Sequence, residues 1–298
     1  MTQIPRPEHP QPQMKREHWK NLNGEWDFSF DFGCSGIDQK WQEGKTDWEK
    51  KILVPFCPES DLSGIGYKDF IPSVWYHRTI TLTGEELKGD LLLHFGAVGY
   101  DARVWINGVE AGRHQGGYVS FTFDITKLVK EGENDITLFA ADDVRSGKQP
   151  KGKQSHFFYS RGCDYTRTTG IWQTVWLEWV PESYIEKVQY YPNLAEATLG
   201  IKAVVKGQGT LEAKAFYGGE PCGSVSAKSE GGTVTMTLPL SRLEKWEPGH
   251  GRLYDLTLTY GEDKVESYFG MREVRLDGEK FLINDKSCLL YTSDAADE

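Results

Sequence analysis

Alternation of apolar and polar residues at every second position is the feature that most restricts the fold of this chain. Trp26, Phe28 and Phe30 alternate with Asp27 and Ser29, which is the period-two pattern of a strand with one buried face. Similar short segments recur along the chain, separated by turn-forming residues. Strands this short and this regularly spaced predict an all-β sandwich or jelly roll and exclude a parallel α/β sheet.

A hairpin is predicted at Asn107-Gly108, because this dipeptide between two apolar segments is the strongest short-range hairpin signal. Before residue 142 no long helical pattern is visible, and residues 125–129 are expected to form one turn at most. The predicted strands of this first half are residues 26–32, 52–54, 74–82, 90–95, 103–106, 109–113, 119–124 and 135–141, and a further strand covers residues 171–180.

The strand pattern stops between residues 142 and 170, and loops of this length in a compact domain are usually functional or disordered. The segment is rich in Lys and Arg and ends in Gly162-Cys163-Asp164-Tyr165-Thr166-Arg167-Thr168-Thr169-Gly170. Asp164, Tyr165 and Arg167 are the candidate binding residues, since a carboxylate, a guanidinium and a phenol suit a polyhydroxylated ligand. The alternative is that Asp164 and Arg167 form an ion pair that pins a surface loop.

A second module is predicted from residue 182 onward. Seven short strands in roughly ninety residues is the count of an immunoglobulin-like sandwich. No Cys-Trp-Cys arrangement accompanies them, so this sandwich is expected to depend on apolar packing. The seven candidates are residues 184–191, 198–205, 210–217, 223–228, 233–239, 252–260 and 264–269.

The net charge and the pattern of cysteines restrict the binding partners and the cellular compartment that can be expected for this chain. The net charge of −10 argues against nucleic acid and against an anionic membrane surface, because both attract a positive field. No apolar run approaches the roughly 18 residues of a membrane span. The five cysteines are scattered without a CxxC motif, and no signal peptide is visible, so a reducing compartment, the cytoplasm, is predicted.

The chain resembles the N-terminal part of glycoside hydrolase family 2, the β-galactosidase and β-glucuronidase group. The resemblance implies a jelly-roll sugar-binding domain, then an immunoglobulin-like domain, both supporting a C-terminal (β/α)8 barrel. The motifs that carry it, in order, are Leu22-Asn23-Gly24-Glu25-Trp26, Val54-Pro55, Trp75-Tyr76-His77-Arg78, Val104-Trp105-Ile106-Asn107-Gly108, Gly132-Glu133-Asn134, Gly170-Ile171-Trp172, Trp246-Glu247-Pro248, Leu253-Tyr254-Asp255-Leu256, Phe269-Gly270-Met271-Arg272 and Phe281-Leu282-Ile283-Asn284.

The family's chemistry is retaining hydrolysis by two barrel glutamates about 5–5.5 Å apart, and neither glutamate motif occurs in these 298 residues. No catalytic residue is therefore assigned, and no turnover is expected from this chain alone. The adjacent carboxylates Asp142-Asp143 are expected to be solvated. No cofactor is expected here; some relatives use magnesium or sodium, so a metal is possible in a longer parent protein.

Asp164 matches a family aspartate that reaches the substrate sugar from the first domain, three positions before an arginine and shortly before Gly-Ile. The resemblance therefore implies substrate binding at Asp164, with Arg167 more suited to bracing the loop. A second first-domain contact of the family, an asparagine after Val-Pro, falls near Cys57 and is not matched. This departure weakens any preference for galactose over glucuronic acid.

The predicted organisation has five parts: an N-terminal arm (1–19), the jelly-roll domain (20–181), the immunoglobulin-like domain (182–273), the start of the barrel (274–287) and a tail (288–298). The tail resembles the translated sequence of an adapter used in preparing DNA sequencing libraries. We therefore expect it to be an artefact attached to a truncated gene.

The functional hypothesis is a non-catalytic N-terminal part of a retaining β-glycosidase, most like a β-galactosidase. Its partner would be a β-galactoside or a related glycan bound by the full-length enzyme, and oligomerisation is possible in that parent. Two alternatives remain: a free-standing carbohydrate-binding module, and a structural protein made of two sandwiches.

Overall fold

The computed structural model describes residues 4–288, and these divide into two compact units. The first unit contains residues 4–10 and 18–179, and the second contains residues 11–17 and 180–288. The predicted tail therefore lies outside the described residues, apart from Cys288. Within residues 4–288, the two helical segments are single 3-10 turns at Trp41–Glu43 and Asp61–Ser63, and no helix could cross a bilayer.

The first unit is built from twelve strands in two main sheets and one two-stranded ribbon. The sheets have the strand orders β1-β12-β5-β9 and β3-β2-β4-β10-β7-β8, and the ribbon pairs β11 with β6. The strands are β1 (Trp19–Asn21), β2 (Gly24–Phe30), β3 (Lys50–Val54), β4 (Ser73–Leu82), β5 (Asp90–Phe95), β6 (Val98–Gly99), β7 (Asp101–Ile106), β8 (Val109–Gln115), β9 (Phe121–Asp124), β10 (Gly132–Ala141), β11 (Gly170–Ile171) and β12 (Val175–Val180).

One apolar core joins the two main sheets of this unit. Trp26 and Phe28 of the six-stranded sheet and Leu93 and Leu177 of the four-stranded sheet belong to the same buried cluster. The alternating pattern of the sequence explains this arrangement, because every second side chain of a strand faces the opposite sheet. The Asn107-Gly108 hairpin connects β7 and β8 as predicted.

The second unit contains the seven strands predicted for it, with ends that differ by at most three residues. They form a three-stranded sheet, β13-β14-β17, and a four-stranded sheet, β16-β15-β18-β19, around one buried cluster. The strands are β13 (Tyr184–Asn193), β14 (Thr198–Lys206), β15 (Gly209–Tyr217), β16 (Glu220–Ser229), β17 (Gly232–Pro239), β18 (Tyr254–Tyr260) and β19 (Asp263–Phe269). The all-β class, with a jelly-roll sandwich followed by an immunoglobulin-like one, is confirmed.

Two short segments complete the second unit. Residues 274–287 form three antiparallel strands, β20 (Val274–Asp277), β21 (Lys280–Ile283) and β22 (Lys286–Ser287). Residues 11–17 are held by Arg16, whose buried guanidinium donates to both carboxylate oxygens of Asp263 at 2.8 and 2.9 Å. A buried, bidentate ion pair therefore holds the N-terminal segment against this unit.

Candidate functional site

The long loop between β10 and β11 folds back on itself in the first unit. The N–H of Ser155 donates to the carbonyl of Tyr165, and the N–H of Tyr165 donates to the carbonyl of Lys153, both at 2.7 Å. Closer to the tip, Arg161 and Asp164 exchange two backbone hydrogen bonds of 3.0 Å. These bonds give the loop a defined shape and place Asp164 in its tight turn.

Asp164 is partly exposed and paired with a lysine of the same loop. Its side chain is 28% exposed, and the Nζ of Lys151 lies 3.0 and 3.1 Å from its two carboxylate oxygens. The Nδ1 of His156 is 3.9 Å from Oδ2. The alternative interpretation, an ion pair between Asp164 and Arg167, is therefore wrong: Lys151 is the cation that holds Asp164.

Arg167 is buried and acts within the loop. Only 3% of it is exposed, and its guanidinium donates to the carbonyls of Phe157 and Lys68 and lies 4.6 Å from the ring centre of Phe70. Burial lowers its pKa, and within residues 4–288 its Nε has no hydrogen-bond partner. This is the geometry of a brace between two loops.

Tyr165 is the third predicted binding residue, and it faces solvent. Its side chain is 53% exposed, and the Nζ of Lys153 lies 5.8 Å from the ring centre. The loop thus separates its candidate residues: Asp164 and Tyr165 are accessible to a ligand, whereas the Arg167 guanidinium is enclosed.

A buried carboxyl group that the sequence did not indicate lies at the end of this loop. Glu59 is 3% exposed, and the N–H of Thr169 donates to both of its oxygens at 3.2 Å. Burial raises the pKa of Glu59 to about 7, and burial together with the Glu59 charge raises the pKa of the Cys57 thiol to about 12. No sequence signal could have found Glu59, because it lies in a glycine-punctuated loop that looks exposed.

A second buried carboxyl group marks the start of the loop. Asp142 is 6% exposed and accepts a hydrogen bond from Nε2 of Gln149, while its Oδ2 has no hydrogen-bond partner among the described residues. Burial raises its pKa to about 6. The expectation that Asp142-Asp143 is solvated is therefore wrong for Asp142, because the loop closes over it, and right for the exposed Asp143.

The second unit presents a different surface feature, an open hollow of about 460 Å³ beside β13. Tyr191, Asn193, Glu196 and Glu273 are among the residues that line it. Within residues 4–288, no group of three or more His, Cys, Asp or Glu side chains is placed to hold a metal ion.

Comparison with known proteins identifies the family of both units. Residues 19–181 match the family model described as glycosyl hydrolases family 2, sugar binding domain, and residues 183–272 match the model described as glycosyl hydrolases family 2. The chain belongs to glycosyl hydrolase family 2. The loop that carries Asp164 thus lies inside the family's sugar-binding domain.

Curated relatives match this family 2 chain over most of its length. A β-glucuronidase of Paenibacillus borealis is 25% identical over 292 residues, which cover 89% of this chain and 47% of the relative. A β-glucuronidase of Sus scrofa is 28% identical over 322 residues, covering 93% and 48%. The chain therefore spans about half the length of the curated relatives it matches.

A solved structure supports the fold of the family 2 chain. The β-glucuronidase from Ruminococcus gnavus, in complex with uronic deoxynojirimycin, superposes with a TM-score of 0.77 at 21% identity, over 92% of this chain and 49% of that one. At this identity the likeness concerns the fold alone. The predicted membership of a glycosidase family is confirmed, whereas the finer preference for β-galactosidase receives no specific support.

Proposed function

We propose that this chain is the sugar-binding part of a retaining β-glycosidase that acts on terminal β-glucuronides, with Asp164 holding the terminal sugar. The observation that carries the proposal is the similarity of most of the chain to curated β-glucuronidases. Glucuronides therefore replace galactosides as the favoured substrate class. The two catalytic glutamates would belong to a barrel outside these 298 residues.

Asp164 is suited to bind sugar hydroxyl groups. An ionised carboxylate offers about four acceptor sites, and Lys151 occupies part of this capacity while compensating the charge. The partial exposure of Asp164 leaves room for hydroxyl donors. Bonds of this kind supply positioning energy, which lowers a reaction barrier by holding the sugar near the reacting groups.

Tyr165 is proposed to cover the apolar face of the same sugar. Its exposed ring follows Asp164 directly in the chain, and an aromatic ring combines a large apolar surface with a polar hydroxyl group. Arg167 contributes indirectly in this proposal, because its buried guanidinium fixes the loop from below.

Calorimetric titration of the 298-residue chain with glucuronate and with galactose tests the proposal. We expect saturable binding of glucuronate, weaker binding of galactose, and an affinity for glucuronate that is at least about tenfold lower in Asp164→Asn, since a charged acceptor is lost. Asp277→Asn, at an exposed aspartate of β20, is the matched control and should bind like the unmodified chain.

Each other outcome of this titration has a definite meaning. Tighter binding of galactose would overturn the glucuronide class in favour of galactosides. Binding that survives Asp164→Asn would remove Asp164 from the site. Hydrolysis of a nitrophenyl β-glucuronide by the chain alone would contradict its assignment as a non-catalytic part.

A further inference from the structure

The loop that carries Asp164 also exposes an unusual set of large aromatic side chains and arginines. Phe158 is 64% exposed and Tyr159 is 61% exposed, and Arg145 and Arg161 are exposed as well. We call these four residues the aromatic–basic face. Phe158 packs edge-on against Phe70 and Tyr159 stacks on Phe157, with ring centres 4.9 and 5.7 Å apart. Contiguous exposed apolar surface of this kind marks a binding site.

Both arginines of the face lie against aromatic rings. The guanidinium carbon of Arg145 is 3.9 Å from the ring centre of Phe70, and that of Arg161 is 5.6 Å from the ring centre of Phe157. A guanidinium that rests on a ring keeps its planar set of N–H donors, which match a carboxylate in a two-pronged arrangement. The face therefore combines the N–H donors of two guanidinium groups with the flat apolar surfaces of aromatic rings.

Buried groups fix the backbone beneath this face. Arg167 donates to the carbonyls of Lys68 and Phe157, so it ties together the two segments that carry the supporting rings. The hydroxyl of Ser155 accepts from the N–H of Phe157 at 3.1 Å and donates to the carbonyl of Tyr159 at 2.8 Å. The aromatic–basic face is thus supported by hydrogen bonds from below, which favours a preorganised surface.

The face adjoins Asp164 and has a charge opposite to that of the whole chain. Arg161 exchanges two backbone hydrogen bonds with Asp164. Residues 142–170 contain six Lys or Arg and three Asp, which gives them a formal net charge of +3, whereas the whole chain carries −10. A ligand that reaches from Asp164 onto the face would therefore benefit from negative charge.

We propose that the aromatic–basic face binds an acidic oligosaccharide, namely the uronate-containing sugars that follow the terminal sugar at Asp164. This inference rests on the proposed function and extends it to the substrate class. The rings of Phe158 and Tyr159 stack on sugar faces, and Arg145 and Arg161 bind uronate carboxylates. Single-stranded nucleic acid also suits aromatic and basic groups, but the face adjoins Asp164 within the part of the chain that matches the family's sugar-binding domain, which favours an oligosaccharide.

The test is a calorimetric titration of the 298-residue chain with three ligands. These are glucuronate, a tetrasaccharide that alternates glucuronic acid with a neutral sugar and begins with glucuronic acid, and the same tetrasaccharide with its carboxyl groups reduced. We expect the acidic tetrasaccharide to bind about tenfold more tightly than glucuronate. Added salt should reduce this gain, because exposed charge pairs are screened.

The double variant Arg145→Gln/Arg161→Gln should lose most of the gain of about tenfold and keep the affinity for glucuronate, since each exposed charge pair accounts for up to about threefold and the rings of Phe158 and Tyr159 remain. Arg272→Gln is the matched control, because Arg272 is an exposed arginine that lies 4.8 Å from the ring centre of Trp246 in the second unit. It should change no affinity. Circular dichroism checks that every variant is folded.

The outcomes separate this inference from the proposed function. If glucuronate binds through Asp164 but the gain survives the double variant, the inference is wrong and the proposed function stands. If the tetrasaccharide binds through the arginines while Asp164→Asn changes no affinity, the proposed function of Asp164 is wrong and oligosaccharide binding at the aromatic–basic face is supported. Equal binding of the carboxyl-reduced tetrasaccharide, or tighter binding of a single-stranded oligonucleotide, would also overturn the inference.

Discussion

Buried carboxyl groups are stabilised differently in two regions of this chain, the N-terminal attachment of the second unit and the Asp164 loop of the first. In the second unit, Asp263 receives two hydrogen bonds from the guanidinium of Arg16 and a third, of 2.9 Å, from the N–H of Ile185. In the first unit, Glu59 and Asp142 are also buried, and they accept hydrogen bonds from uncharged donors such as the N–H of Thr169 and the side-chain amide of Gln149. A cation thus compensates the charge of Asp263, whereas burial raises the pKa values of Glu59 and Asp142.

The difference separates a structural arrangement from a functional one. The pair of Arg16 and Asp263 joins the N-terminal segment to a sandwich, and its geometry is that of a fully satisfied ion pair. Glu59 and Asp142 lie at the two ends of the loop that carries Asp164, and carboxyl groups with raised pKa values gather at functional sites. The first unit thus accepts a cost in stability around its binding loop.

The largest effect is expected from Arg16→Ala, which leaves Asp263 buried without its cation. Removing one partner of a buried ion pair costs about 3–5 kcal/mol, so the free energy of unfolding of the second unit should fall by this amount in urea titrations. Lys15→Ala is the control, because the exposed pair of Lys15 and Glu266 contributes under about 1 kcal/mol. Equal losses in the two variants would contradict the compensated state of Asp263.

Glu59→Gln should stabilise the first unit in a pH-dependent way. The pKa of Glu59 rises from 4.5 to about 7 on folding, so the folded state holds a proton that the unfolded state has lost. The resulting stability is complete below about pH 4.5 and disappears as the pH rises through about 7.

The difference in the free energy of unfolding between Glu59→Gln and the unmodified chain should therefore grow by about 3 kcal/mol in favour of the variant between pH 4.5 and pH 8. Urea unfolding across this range measures it, with the exposed Glu230→Gln as the control. A difference in unfolding free energy that does not change with pH would show that folding does not raise the pKa of Glu59.

Asp142→Asn should act in the same direction over a lower pH range. Its pKa rises from 3.8 to about 6, so the stability that the proton provides is complete below about pH 4 and lost as the pH rises through 6. The gain from the substitution should reach about 2–3 kcal/mol at pH 7. The neighbouring Asp143→Asn, at an exposed position, is the matched control and should give no such pH-dependent gain.

Sequence patterns predicted the fold far better than they predicted the surroundings of the site. Period-two alternation is a local property, so strands such as β14 and β17 could be read directly from residues that lie next to one another. Asp164 was found because it stands in a family motif. Glu59 and Asp142 were missed, because their surroundings depend on contacts distant in the sequence, such as the hydrogen bonds from Thr169 to Glu59, 110 residues away, and from the N–H of Asp142 to the carbonyl of Pro72.

The smallest effect on stability is expected from Lys151→Met. The pair of Lys151 and Asp164 is about one-third exposed on each side, and such pairs contribute about 0–1 kcal/mol. Urea unfolding should therefore detect little change, in contrast with Arg16→Ala. A loss of 3 kcal/mol or more would mean that Asp164 belongs to a structural ion pair like that of Asp263.

The most direct test of the account is to locate the bound sugar by nuclear magnetic resonance. In a titration of the ¹⁵N-labelled chain with glucuronate, the account predicts shifts of the backbone amides around Lys151 and Asp164 in the first unit. Shifts confined to the hollow beside Tyr191 and Glu196 in the second unit would contradict it.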